Sequence, residues 1–155
     1  MFFKLTGIRK KRDREFISDA FHFFATTLLH RRTFDVLDLS VVVKDLGHAY
    51  GFCSWEDNNI KPREFTIELS RDLSGIELVK TIAHEMVHLK QYVKGELKER
   101  FKPAHVHVWH GDIIDVGNDN FYTVPWEVEA RDMEQELFLL FEDRMGDKWQ
   151  QNLIL

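Results

Sequence analysis

The 155-residue chain has a single cysteine, Cys53, and only three prolines. One cysteine excludes an internal disulfide and fits a reducing compartment. With few prolines and no low-complexity tract, nothing marks an interdomain linker, and the length suits one domain over residues 1–155. Long apolar runs are missing as well. The most apolar segment, Phe21 to Leu29, is too short to span a bilayer, and no apolar run precedes the basic stretch from Arg9 to Arg14 as in a secretory signal. These absences predict a soluble, cytoplasmic protein with no membrane partner. Excess positive charge is also lacking, since the formal net charge of -5 argues against a general nucleic-acid partner.

What the chain does have is phenylalanine, 13 copies among 44% hydrophobic residues, which predicts an aromatic-rich core. The apolar and polar spacing predicts mixed helix and strand. Phe16, Ala20, Phe23, Phe24, Thr27 and Leu28 recur at helical intervals, so residues 12 to 31 read as a helix. The charge run Arg9-Lys10-Lys11-Arg12 reads as its solvated start. Thr33 to Lys44 should hold a strand and Ala49 to Trp55 reads as a second, with a loop at Glu56 to Asn59. Glu64 to Leu69 alternates as a half-buried strand does.

Ser74-Gly75-Ile76-Glu77 has the spacing of a capping box, and the helix it opens should run to Gly95. Val106 to Ile114 reads as a further strand, followed by a turn at Gly117-Asn118-Asp119-Asn120. Pro125 opens a last helix, whose inward stripe is Trp126, Ala130, Met133, Leu137, Leu140 and Phe141.

Inside the capped helix stands His84-Glu85-Met86-Val87-His88. Histidines four apart rise from one helix face and can grip one ion together. Zinc accepts neutral imidazole, and a catalytic zinc site takes three protein ligands. Glu85, beside that face, can take a proton from an attacking water and pass it to the leaving amine. The pattern alone would arise by chance in roughly 3 of 100 shuffled chains of this composition. The capped helix, the alternating strand before it and a carboxylate-bearing helix after it give it weight.

A third metal ligand is still needed. Glu127 and Glu129 lie on opposite shoulders of the last helix's apolar stripe, so periodicity does not choose between them. The small Ala130 one turn beyond Glu127 favours that residue. The histidines of His105-Val106-His107-Val108-Trp109-His110 are further candidates, and Tyr122, His107 and Arg131 are candidate donors to a developing oxyanion. Cys53 reads as a small buried hydrophobe.

His84-Glu85-x-x-His88, followed by a helix with Glu127-x-x-Ala130, resembles the gluzincin pattern of metallopeptidases. Together with Gln91-Tyr92, Gly95-Glu96-Leu97-Lys98, Trp109-x-Gly111 and Pro125-Trp126-Glu127-Val128-Glu129-Ala130, it is similar to a group of small, often phage-encoded zinc metallopeptidases. The resemblance implies an α+β, minimal zincin-like domain: a twisted mixed sheet, an active-site helix under its edge and a second helix bringing Glu127. It also implies peptidase chemistry on a protein or peptide substrate, with His84, His88 and Glu127 holding Zn2+ and Glu85 as base. For a phage-encoded member the setting is the host cytoplasm.

Substrate in such a fold adds to the sheet edge, for which Glu64 to Leu69 is the expected strand. Many gluzincins carry an acidic or amide residue four positions after the ligand glutamate, where this chain has Arg131; that leaves the support of His84 unassigned. SprT-like proteases instead take a third histidine, often before glycine, which His110-Gly111 superficially matches. The competing functional reading is an interaction module of the same fold with a structural or vestigial zinc site.

Overall fold

The computed structural model describes residues 1–57, 61–99, 105–117, 123–146 and 149. The fold is α+β, with element order β1 (Phe2–Thr6), α1 (Lys11–Leu28), α2 (Arg31–Asp35), β2 (Asp38–Lys44), β3 (Gly51–Trp55), β4 (Glu64–Ser70), α3 (Gly75–Lys94), β5 (Leu97–Glu99), β6 (Val106–Trp109), β7 (Asp112–Asp115) and α4 (Pro125–Met145). No helix among the described residues is long and apolar enough to cross a membrane.

Four strands form a mixed sheet in the order β1-β2-β4-β3. β1, β2 and β4 are parallel, and β3 pairs antiparallel with β4. Strict alternation puts Leu39, Val41 and Val43 of β2 and Phe65, Ile67 and Leu69 of β4 into the core. There they join Phe21 and Phe24 of α1 and Ile82 and Met86 of α3 in one apolar cluster. An aromatic knot of Phe16, Phe23, Phe24, Phe141 and Trp149 ties α1 to α4. The expected aromatic core is present.

Several elements depart from the sequence reading. The segment Thr33 to Lys44 holds its expected strand as Asp38–Lys44, preceded by a short helix, Arg31–Asp35, whose first turn is capped by His30 Nδ1 accepting from the Arg32 amide. β1 and β5 were not expected. β1 alternates, but its outer residues include the exposed Phe2, which blurred the period. The strand expected from Val106 to Ile114 is two strands of a hairpin. His110 and Gly111 form its two-residue turn with φ of 48° and 99°, the left-handed pair that this tight connection demands. Ser74 does sit at the α3 N-cap, yet its side chain makes no capping bond, and Gly75 after it has a φ of 50°.

α3 stops as expected at Gly95, whose φ of 73° only glycine adopts freely. Along α4, Leu140 faces solvent at 54% exposure and Phe138 takes its place inside. The basic run before α1 is paired locally, Lys10 with Asp13 and Lys11 with Glu15. Asn118-Asp119-Asn120, Asn58-Asn59 and Tyr122 lie outside the described residues.

The sheet order also moves the edge. β4 is an inner strand, paired on both sides, so Glu64 to Leu69 has no free ladder to offer. The edge beside α3 is β3. Its antiparallel pairing to β4 displaces the role the sequence had given to β4.

Gly7, at the end of β1, has a φ of 89°, and a Cβ there would lie 2.0 Å from the Val43 carbonyl oxygen. Gly7→Ala is therefore expected to destabilise the fold by about 2 to 4 kcal/mol, read as a lower midpoint in urea unfolding. An unchanged midpoint would contradict this tight passage.

Candidate metal centre

Helix α3 carries His84, Glu85 and His88 on the side that meets both β3 and α4. The first turn of α4, opened by Pro125, presents Glu127 to them. His84, His88 and Glu127 come together with ligand atoms all within 4.8 Å of one another, and this buried cluster could hold a metal ion. His84 Nε2 lies 3.2 Å from His88 Nε2, and the two nitrogens are 3.4 and 3.3 Å from the Glu127 oxygens.

The outer hydrogen bonds fix which nitrogen faces inward. Gln91 is fully buried, and its Nε2 donates to the Trp126 carbonyl at 2.9 Å and to Glu129 Oε2 at 2.8 Å. Its Oε1 must therefore be the atom 2.9 Å from His88 Nδ1, which donates to it. In the same way His84 Nδ1 donates to Glu134 Oε2 at 3.2 Å. In the neutral rings both Nε2 atoms then carry lone pairs aimed at each other and at a carboxylate.

Three such atoms repel unless something positive lies among them. A tetrahedral ion with ligands at about 2.0 to 2.2 Å sets ligand atoms about 3.3 to 3.6 Å apart. The two histidine nitrogens stand 3.2 Å apart, and each faces a different oxygen of Glu127. Taken one atom per residue, the ligand atoms lie within 4.8 Å of one another, a set that could close on a metal ion.

The titration behaviour has the same cause. Burial opposes the charged form of His84, but the carboxylates of Glu127, Glu134 and Glu85 outweigh it and raise its pKa to about 9. Burial likewise works against the Glu127 anion, and His84 and His88 overcome it, bringing that carboxyl down to about 2. Glu85 is 5% exposed. Burial lifts its pKa to about 7 against the pull of His88 and His84, with Glu127 and Glu134 adding to the rise.

Glu85 lies against the sheet edge. A Cβ on Gly51 would fall 2.8 Å from Glu85 Oε1, so glycine there lets α3 approach β3 closely. Between them opens a cleft of about 490 Å³, whose walls include Gly51, Phe52, Cys53, Tyr92, His107 and Trp126. Cys53 packs on the core and lines this cleft as well. The His107 ring packs against Trp126 at 4.9 Å with the two planes tilted by 45°, and its Nδ1 is buried without a hydrogen-bond partner.

The remaining sequence candidates sit elsewhere. Glu129 is turned to the other side of Glu127's helix, where it accepts from Lys90 at 2.9 Å and from Gln91. His110 is the exposed hairpin turn residue, outside the cluster. Arg131 is exposed and does not line the cleft; the residue supporting His84 is Glu134. The sequence reading missed Glu134, although its place seven residues after Glu127 puts it two turns along the same helix face. Gln91, three residues after His88, was also legible by spacing but unassigned.

Replacing Glu134 by glutamine should weaken metal binding about tenfold or more, since it loosens the ring that it orients; equal affinity in a chelator competition would contradict that role. A second expectation concerns the metal-free protein. The His84 contribution, raised in the folded state, is fully present below its unfolded pKa of about 6.5 and is lost as pH rises through about 9. Ionisation of Glu85 from about 4.5 to 7 weakens the fold in the same direction. The lowered Glu127 value acts only on the acid side, holding above about 4.5 and failing toward 2. The melting temperature without metal should thus fall from pH 6.5 to 9, and one equivalent of divalent metal should restore it. A flat profile would contradict this.

No family model matches the chain, and neither a curated protein nor a solved structure matches it.

Proposed function

We propose that this chain is a zinc-dependent peptidase that hydrolyses peptide bonds in a protein or peptide substrate, with Glu85 as general base. The observation that carries the reading is the convergence of two Nδ1-protonated histidines and Glu127 beside the buried carboxyl of Glu85. Two imidazoles and one carboxylate suit zinc, and a purely structural site would have no use for a base beside it. Bound zinc would supply a Lewis acid that polarises a carbonyl and acidifies water.

The chain's own groups account for the rest. The Glu85 carboxylate, next to His84 on α3, can accept a proton from the attacking water and return it to the leaving amine. The edge of β3 offers main-chain donors and acceptors to an extended substrate across the cleft from α3. Gly51 leaves room for Glu85 to reach the scissile bond. His107, whose side chain lines the cleft, is the candidate donor to the developing oxyanion. A zincin-like architecture, as the resemblance implies, is supported by the mixed sheet with an antiparallel edge strand over the motif helix.

Peptide-library cleavage with zinc-loaded protein tests this. Glu85→Gln should retain stoichiometric zinc and lose at least about 100-fold in kcat, His107→Phe should lose a similar factor with little change in KM, and His88→Ala should lose the metal. Purified protein without stoichiometric zinc, or Glu85→Gln as active as wild type, would overturn the reading.

A further inference from the structure

The cleft extends past the metal cluster by one more turn of α3. His84, His88 and Tyr92 are four residues apart and form one row, so Tyr92 lies about 6 Å along the axis from His88. Leu97 and Glu99 of β5 close the cleft at that end. The Tyr92 hydroxyl donates a hydrogen bond to Glu99 Oε1. Burial, then the charge of Glu99, hold the phenol in its neutral form, so Tyr92 orients the carboxylate without neutralising it.

Charge around the cleft is uneven. Its described walls hold three carboxylates, Glu85, Glu127 and Glu99, and no lysine or arginine. Glu85 and Glu127 face the two histidines and the ion these would hold. Glu99 stands apart from them, exposed, with a neutral phenol against it and His107 opposite it in the ladder. An anion fixed in position at the wall of a cleft, with acceptor capacity to spare, suits a cationic group.

Strand β3 leads to the same place. Gly51 abuts Glu85, and Cys53, two residues further on, lines the cleft together with Glu99. Two strand residues advance about 6.8 Å, close to the single helical turn between His88 and Tyr92. A peptide extended along β3 with its scissile bond at the metal cluster would bring a side chain one or two residues away to Glu99.

We propose that Glu99, oriented by Tyr92, forms a specificity subsite for a lysine or arginine side chain of the substrate. Calling the ligand a substrate rests on the peptidase reading, but the subsite is a matter of binding and is testable without turnover. The probes are short neutral peptides carrying one arginine, or one glutamine in its place, with fluorescence anisotropy on zinc-loaded Glu85→Gln protein. The arginine peptide should bind about fivefold more tightly, the scale of one ion pair near a surface, and should lose that advantage at high salt.

Adding Glu99→Gln, which keeps an acceptor for Tyr92, should abolish the preference at unchanged zinc content. Glu99→Lys should turn it toward a glutamate peptide. Equal binding of the arginine and glutamine peptides, or a preference that survives Glu99→Gln, overturns the subsite. Wild-type cleavage of the same peptides separates the two claims. Selective binding without any cleavage sinks the peptidase reading alone, whereas cleavage without basic preference sinks the subsite alone.

Discussion

Gln91 has no solvent exposure, and its side chain joins α3 to α4 through three partners at once. Its amide oxygen takes the proton-bearing nitrogen of His88, while its amide nitrogen reaches the Trp126 carbonyl and Glu129 on α4. Neither end can be reversed without setting two acceptors or two donors face to face. The histidine tautomer, and the register in which α4 brings Glu127 to α3, therefore come from one side chain. Lys90 beside it, only 5% exposed, reinforces the joint by pairing with Glu96 at 2.7 Å and Glu129 at 2.9 Å. A buried ammonium costs several kcal/mol unless it is paired, so α4 is drawn to α3 by the need to satisfy Lys90 as well as by apolar contact.

Glu129 and Glu134 thus support the ligand glutamate's helix in two different ways. Glu129 anchors α4 to the buried lysine and glutamine, and Glu134, two turns beyond Glu127, steers His84. The same helix buries Ala130, Leu137 and Phe141 against the aromatic knot from α1. Core packing and cluster geometry are consequently shared by one helix face. A shift of α4 by a fraction of a turn would open both.

Much of this was readable from residue order. The alternation of Phe65, Ile67 and Leu69, the glycine stop at Gly95 and the proline start at Pro125 each reflect a local rule, and each appears where the rule puts it. Local rules failed where tertiary contacts outweigh them. His110-Gly111 looked like part of a strand because Val106, Val108 and Ile114 alternate, yet its turn is set by pairing between Trp109 and Asp112. Ser74 kept its place at the helix start without making its bond, because Gly75 takes a positive φ. The edge strand was misassigned because sheet order is not encoded by any one strand's pattern.

The sequence by itself determined that two histidines share one face of a long helix with a glutamate beside it, since a four-residue interval on a helix leaves the pair no other arrangement. It also narrowed the third ligand to a few residues. Only the tertiary structure decided among them, because Glu127 and Glu129 are equally amphipathic on the helical wheel and are told apart by what faces each: two histidines for one, Lys90 and Gln91 for the other. Which strand borders the cleft, and that Glu134 rather than Arg131 supports His84, depend on contacts between residues 50 or more positions apart in sequence or on the pairing of strands. Periodicity within a segment carries no information about either.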